Sequence, residues 1–306
     1  MAETMYELVQ KTASAEALLK DSKNLELGSR KEEVADAEHG MYYTVYEQGV
    51  LFGKEGDRVC FVNPVLFDRY TKLEGAIAFG MPVTNSIRPE GSDDCYVLFE
   101  HVGLFMRQGR TVVLREPAYS VYVREGLHQS FLGYPLGEER NTGKGYATIF
   151  DNGAIYRTAD GTVTAKADLA FHDAYVEDLD SLGFPVADPV RYPEFYEPMH
   201  EKLVSRAMSV AELDEGPLTV TGVEEFVFTD GALYRLTYET PEQKPLQKIY
   251  GLTGAFFQTY RELNGPKGKL GCPIHAPETD AAGNMRCAFE GGILLKEAGS
   301  DEVTVR

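Results

Sequence analysis

Leu182-Gly183-Phe184-Pro185 decides the reading of this chain, because the tetrapeptide returns along it. Leu132-Gly133-Tyr134-Pro135 and Leu270-Gly271-Cys272-Pro273 keep its leucine, glycine and proline. Phe79-Gly80-Met81-Pro82 keeps the glycine and proline, and Leu27-Gly28-Ser29-Arg30 is a degraded copy without proline. The glycines at 28, 80, 133, 183 and 271 are spaced by 52, 53, 50 and 88 residues, a period of about 50 with one extended interval.

A second motif follows each copy: an aromatic residue, two mostly polar residues, a glycine, then three apolar residues. It reads Tyr46-Glu47-Gln48-Gly49-Val50-Leu51-Phe52, then Phe99-Glu100-His101-Val102-Gly103-Leu104-Phe105, whose glycine is one place late. It continues at Phe150 to Tyr156, Phe228 to Tyr234 and Phe289 to Leu295. Strand, polar turn and strand predict a β-hairpin. A helical stretch precedes each tetrapeptide: Thr4 to Lys20, Pro64 to Leu73, Glu116 to Gly126, Asp168 to Leu179 and Tyr250 to Leu263. Pro64 suits a first helical position, and Asp168 and Thr253 suit N-caps.

The unit is therefore helix, turn and hairpin, and five units fill residues 1–306 as a single five-repeat domain. The repeats run over about 4–58, 59–112, 113–162, 163–240 and 241–306. One such unit cannot bury its own apolar faces, so neighbours stack. A solenoid needs atypical polar end repeats. The last hairpin keeps its apolar trio, which favours closure. The expected fold is mainly β with short helices, a closed five-repeat ring resembling a five-bladed β-propeller. The long interval is an insertion in the fourth repeat, residues 188–221, carrying Tyr192, Phe195, Tyr196, Met199 and His200. Insertions in repeat proteins collect on one face, so this one reads as a lid or binding flap, or as a loop packing its own aromatics.

Composition narrows the function. With 30 Lys+Arg against 48 Asp+Glu, the net charge of −18 argues against nucleic acid and anionic lipid. No run approaches the ~18 apolar residues of a membrane span, so no membrane insertion is expected. Met1-Ala2-Glu3-Thr4-Met5 lacks the basic start of a signal peptide, and the compartment stays open. Cys60, Cys95, Cys272 and Cys287 form no C-x-x-C pair and read as packed thiols, with a disulfide still open. Six scattered histidines show no ligand spacing. No metal and no cofactor are expected, and no nucleophile elbow, phosphate loop or H-E-x-x-H occurs.

The carboxylates are the better lead. Glu47, Glu100, Asp151 and Glu290 share one hairpin slot, broken only by Thr229. In a ring they would lie at one radius and accept hydrogen bonds from sugar hydroxyls. A pair held ~5–9.5 Å apart would suit glycoside cleavage. The plainer reading is that hairpin turns are exposed and polar. The closing aromatics Phe52, Phe105, Tyr156 and Tyr234 read as packing positions.

The L-G-x-P turns with their F-x-x-G hairpins resemble the LGFP-repeat family over essentially residues 4–298. The resemblance implies a module that holds actinobacterial cell-envelope enzymes on wall polysaccharide, and five such repeats imply a propeller-like ring. The family places polar residues just after the tetrapeptide. The matching positions here are Thr84 and Asn85, Glu138 and Glu139, Asp188, and Glu278 further downstream. Arg157 and Arg235 stand where family members often carry Trp.

The expected function is non-catalytic carbohydrate binding, with cell-wall polysaccharide as ligand. Its candidate residues are Glu47, Glu100, Asp151, Glu290, Asn85, Glu138, Asp188, Tyr192 and Tyr196. The alternative is an enzyme, a glycosidase or a cyclase or isomerase of a small substrate, with its site at one end of the channel under the 188–221 insertion. A third reading is an acidic platform for a basic protein partner.

Overall fold

The structure, a computed structural model, describes residues 27–36, 41–53, 59–73, 79–89, 91–192, 219–239 and 245–306. The expected first helix, Thr4 to Lys20, lies outside them. The chain is mainly β with few helices, arranged as five antiparallel sheets. It divides into two compact units, residues 1–142 with 146–163, and residues 143–145 with 164–306.

In the first unit, β1 (Arg30–Asp36), β2 (Met41–Tyr46), β3 (Gly49–Gly53) and β4 (Val59–Val62) form one meander. Helix α1 (Pro64–Lys72) leads to a three-stranded sheet of β5 (Cys95–Leu98), β6 (Val102–Arg107) and β7 (Arg110–Arg115). Ile87 adds a single bridge to Tyr96 where the other sheets have a first strand. Helix α2 (Ala118–Glu125) leads to β8 (Arg140–Asn141), β9 (Tyr146–Ile149) and β10 (Gly153–Arg157). The chain passes from the first unit to the second within β11 (Val163–Asp168).

The second unit continues with α3 (Leu169–Glu177) and α4 (Leu179–Leu182). Next comes the sheet β12 (Val190–Arg191), β13 (Thr219–Val227), β14 (Gly231–Glu239) and β15 (Pro245–Thr253). Helix α5 (Gly254–Glu262) leads to β16 (Glu278–Thr279), β17 (Met285–Phe289), β18 (Gly292–Lys296) and β19 (Val303–Val305).

In the four-stranded sheets each predicted hairpin is thus the middle pair of a wider meander, and in the three-stranded sheet it is the first pair. Strands of two residues, such as β8, β12 and β16, are too short to show alternation.

The helices begin where local chemistry directs. Asn63 caps α1 by accepting the Leu66 N–H at 3.0 Å, with Pro64 next to it. Asp168 caps α3 by accepting the Phe171 N–H at 3.1 Å. Thr253 takes the N-cap position of α5, but its side chain makes no capping bond. Gly126, at φ +98°, ends α2 in the left-handed conformation.

Helices α1, α2, α3 and α5 each wedge a tyrosine among hairpin aromatics. Tyr70 of α1 stacks on Phe99 at 5.4 Å and meets Phe52 edge-on at 5.1 Å. Tyr122 of α2 lies 4.8 Å from Phe150 and 5.5 Å from Phe105. In the second unit Tyr175 stacks on Phe228 at 4.9 Å, and Tyr260 lies 4.8 Å from Phe289 and 5.5 Å from Tyr234. All of these rings are buried. Ring pairs of this kind contribute ~0.5–1.5 kcal/mol beyond the area they bury. The aromatic slots are packing positions, and the core of each unit lies between consecutive sheets.

Candidate functional site

The hairpin acid slot has one structural role in all five copies. Glu100 Oε2 accepts the Met81 N–H at 3.1 Å, and the Glu100 N–H donates to the Met81 carbonyl at 3.0 Å. Asp151 treats Tyr134 in the same way, and Glu290 treats Cys272 likewise. Glu47 does so with Ser29, in the copy that lacks proline. Thr229, which breaks the series in sequence, keeps it in space: its Oγ1 accepts the Phe184 N–H at 3.1 Å. Each slot side chain latches the residue that follows a tetrapeptide glycine.

That glycine is needed for a physical reason. Gly80 sits at φ +72°, and a Cβ there would lie 2.6 Å from Glu100 Oε2. The turn is also held from the helix side. The hydroxyls of Tyr122, Tyr175 and Tyr260 donate to the carbonyls of Gly133, Gly183 and Gly271. These tyrosines lie eight to eleven residues before their glycines, a recurrence the sequence carries but that is masked by drifting spacing.

Asn85 and Asp188 also act alike. Asn85 Oδ1 accepts the Phe61 N–H at 2.8 Å, and Asp188 Oδ1 accepts the Lys166 N–H at 2.7 Å. Each ties the stretch after a tetrapeptide to the residue two before a helix N-cap. Glu138 is exposed and pairs with Arg69 at 3.5 Å, while its neighbour Glu139 binds Arg157. Arg157 also lies 3.9 Å over the Tyr146 ring. Tyr196 lies outside the described residues, as do Phe195, Met199 and His200.

Three local environments hold chemistry beyond these ties. The first is a cleft of about 240 Å³ in the first unit, where Asn85 meets Phe61, Asn63, Ser86, Arg88 and Cys95. The second is the stack of His128 on Tyr134, centroids 5.0 Å apart, with Tyr96 at 5.6 Å and the Arg107 guanidinium 5.7 Å over Tyr134. His128 Nδ1 and the Tyr134 hydroxyl are buried without a hydrogen-bond partner. Burial lowers the pKa of His128, so the ring is neutral at pH 7.

The third environment surrounds Glu225 in the second unit, a carboxylate buried in β13. It accepts hydrogen bonds from the Tyr192 and Tyr234 hydroxyls, and Arg261 lies 3.4 Å away. Burial, followed by the bond to Glu225, pushes the Tyr192 phenol up, and burial beside Glu225 raises Tyr234. Both phenols therefore stay protonated and donate. Sequence reasoning singled out Tyr192 but missed Glu225, whose neighbour Glu224 makes it look like part of a solvated pair.

Among the described residues no group of three or more His, Cys, Asp or Glu side chains is placed to hold a metal ion. The four cysteines are buried and form no disulfide. No helix among the described residues is long and apolar enough to cross a membrane. Neither a protein-family model nor a curated protein matches the chain.

Proposed function

We propose that the chain is a non-catalytic carbohydrate-binding module. In this reading the five sheets close into a propeller-like ring, and sugars of an actinobacterial wall polysaccharide sit in spaces between consecutive sheets. The motif resemblance to LGFP repeats supports it. The observation that carries it is an open cleft in the first unit, lined by Phe61, two carboxamides and a hydroxyl that their own hydrogen bonds hold in place. The recurring acids, glycines and tyrosines, by contrast, hold turns. Apolar walls with a few fixed polar groups are the usual build of a small-ligand site. The test is co-sedimentation with insoluble actinobacterial cell wall, beside wall stripped of arabinogalactan, at low and high salt. Binding that resists salt and vanishes with the polysaccharide supports the reading. No sedimentation overturns it.

One observation favours a second reading, an enzyme working beneath the fourth-repeat insertion. Glu225 is a buried carboxylate held by two protonated phenols, one of them the Tyr192 that immediately precedes residues 193–218. Buried carboxylates of this kind recur at catalytic sites as general acids or bases. Replacing 193–218 by a short flexible linker separates the readings: a binding module keeps its ligand, whereas a lid-dependent enzyme loses activity.

A further inference from the structure

We propose that the cleft of the first unit binds a single acidic sugar, a uronate, with Arg88 as the residue that recognises its carboxylate. This rests on the carbohydrate-binding reading and adds to its neutral-sugar sites one charged site, with a place, a ligand class and a selectivity residue, whose binding weakens as salt rises.

The cleft is held open by its own bonds. Ser86 donates its N–H to the Phe61 carbonyl at 2.7 Å, and the Ser86 hydroxyl accepts the Asn63 N–H at 2.9 Å. Asn63 Nδ2 donates to Cys95 Sγ at 3.1 Å, and Asn85 ties down the Phe61 N–H. Four contacts thus fix the walls before any ligand arrives, which lowers the ordering cost of binding.

Size sets the ligand. At about 240 Å³ the cleft falls below the ~300–1,000 Å³ of drug-sized pockets, and it suits one sugar ring. The Phe61 ring and Ile87 supply apolar wall against which a pyranose face packs, while the amides and Ser86 supply polar edges.

Charge sets the class. Among the described residues that line the cleft, Arg88 is the one that carries a formal charge. Its side chain is 59% exposed, and its Asp93 partner stands 3.9 Å away and fully exposed. Such a pair contributes little and is easily exchanged. The guanidinium fork matches a carboxylate in two parallel hydrogen bonds. The other acid beside the cleft, Asp94, faces Arg107 at 3.6 Å. Burial keeps the Cys95 thiol protonated, and the position that holds Asp188 in the second unit is the neutral Asn85 here. Among the described residues the lining therefore presents a cation without an anion of its own.

The test titrates the whole chain with D-glucuronate and with D-glucose while following amide NMR shifts, for the natural sequence and for Arg88→Gln. Glucuronate is expected to shift the Ser86, Arg88 and Cys95 resonances saturably, at least tenfold more tightly than glucose. Arg88→Gln should remove that tenfold preference without changing the thermal midpoint, because the replaced side chain is exposed. Equal affinity for the two sugars, or a preference that survives Arg88→Gln, overturns the inference. Silence of the cleft resonances in a chain that still sediments with cell wall overturns the inference alone. Silence together with failure to sediment overturns the carbohydrate reading as well.

Discussion

Glu100 and Met81 exchange two hydrogen bonds across 19 residues of chain: the Met81 N–H donates to Glu100 Oε2 at 3.1 Å, and the Glu100 N–H donates to the Met81 carbonyl at 3.0 Å. The pair joins a turn to a hairpin, and its equivalents recur at Ser29, Tyr134, Phe184 and Cys272. The acids of this slot are therefore part of the backbone accounting of the fold, since they satisfy N–H groups that would otherwise go unpaired.

The latch makes Gly80, like the other tetrapeptide glycines, far less replaceable than a positive-φ glycine in open space. Gly109, at φ +76°, has open space where a Cβ would stand. Gly109→Ala should cost about 1 kcal/mol, the left-handed backbone term alone. Gly80→Ala should cost about 3 kcal/mol, because the new methyl also displaces Glu100 and opens the latch. Urea unfolding of the two variants measures the difference, and equal losses would show that the latch contributes nothing.

Thr229 tests the slot without a charge. Thr229→Val preserves shape and removes the acceptor for the Phe184 N–H, at an expected cost of about 1 kcal/mol. Thr229→Ser keeps the acceptor and should stay within a few tenths of the natural chain. The same denaturation experiment reads both, and a harmless valine would contradict the assigned role.

Arg235 should matter more than any exposed ion pair here. Its side chain is 9% exposed, sits between Asp168 and Glu224 at 2.6 Å from each, and covers the Phe171 ring at 4.4 Å. Arg235→Ala strands two carboxylates and removes that cover, so a loss of about 3 kcal/mol is expected. Lys72→Ala, which breaks an exposed pair with Asp68, should cost under about 0.5 kcal/mol. Thermal melts at matched pH rank the two.

His128 gives the fold a pH dependence with a defined sign. Burial lowers its folded-state pKa below the ordinary 6.5, so below that pH the unfolded chain binds more protons than the folded one. The stabilisation is complete above pH 6.5 and is lost as pH falls through 6.5 toward the folded-state value. His172 is lowered by burial too, against an opposing pull from Asp173. His128→Gln should therefore flatten, without abolishing, the fall in unfolding free energy between pH 7.5 and 5.5. An unchanged slope would show that His128 titrates alike in both states.

Much of this architecture is legible in the chain, for reasons that particular residues make clear. The glycines before Met81, Tyr134, Phe184 and Cys272 announce turns because few other residues adopt their backbone. The F-x-x-G stretches announce hairpins, and Asn63 and Asp168 mark helix starts. Strands β8, β12 and β16 were hidden by their two-residue length. The site was harder to read. Glu47, Glu100, Asp151 and Glu290 look like a ligand-facing series, yet a sequence cannot show that each carboxylate reaches back to a backbone N–H some 18 residues away. The Phe61–Arg88 cleft joins residues of two sheets, and no spacing rule links them. Glu225 resembles an ordinary strand acid until burial and its two phenols are seen together.

The most direct test of the central claim is calorimetric titration of soluble arabinogalactan into the chain, beside a fragment long enough to reach only one space between sheets. Several weak sites on one scaffold predict that the polymer binds at least ~10²-fold more tightly than the fragment, at low and at high salt alike. Absence of binding by either, or equal affinity for polymer and fragment, would contradict a polysaccharide-binding ring.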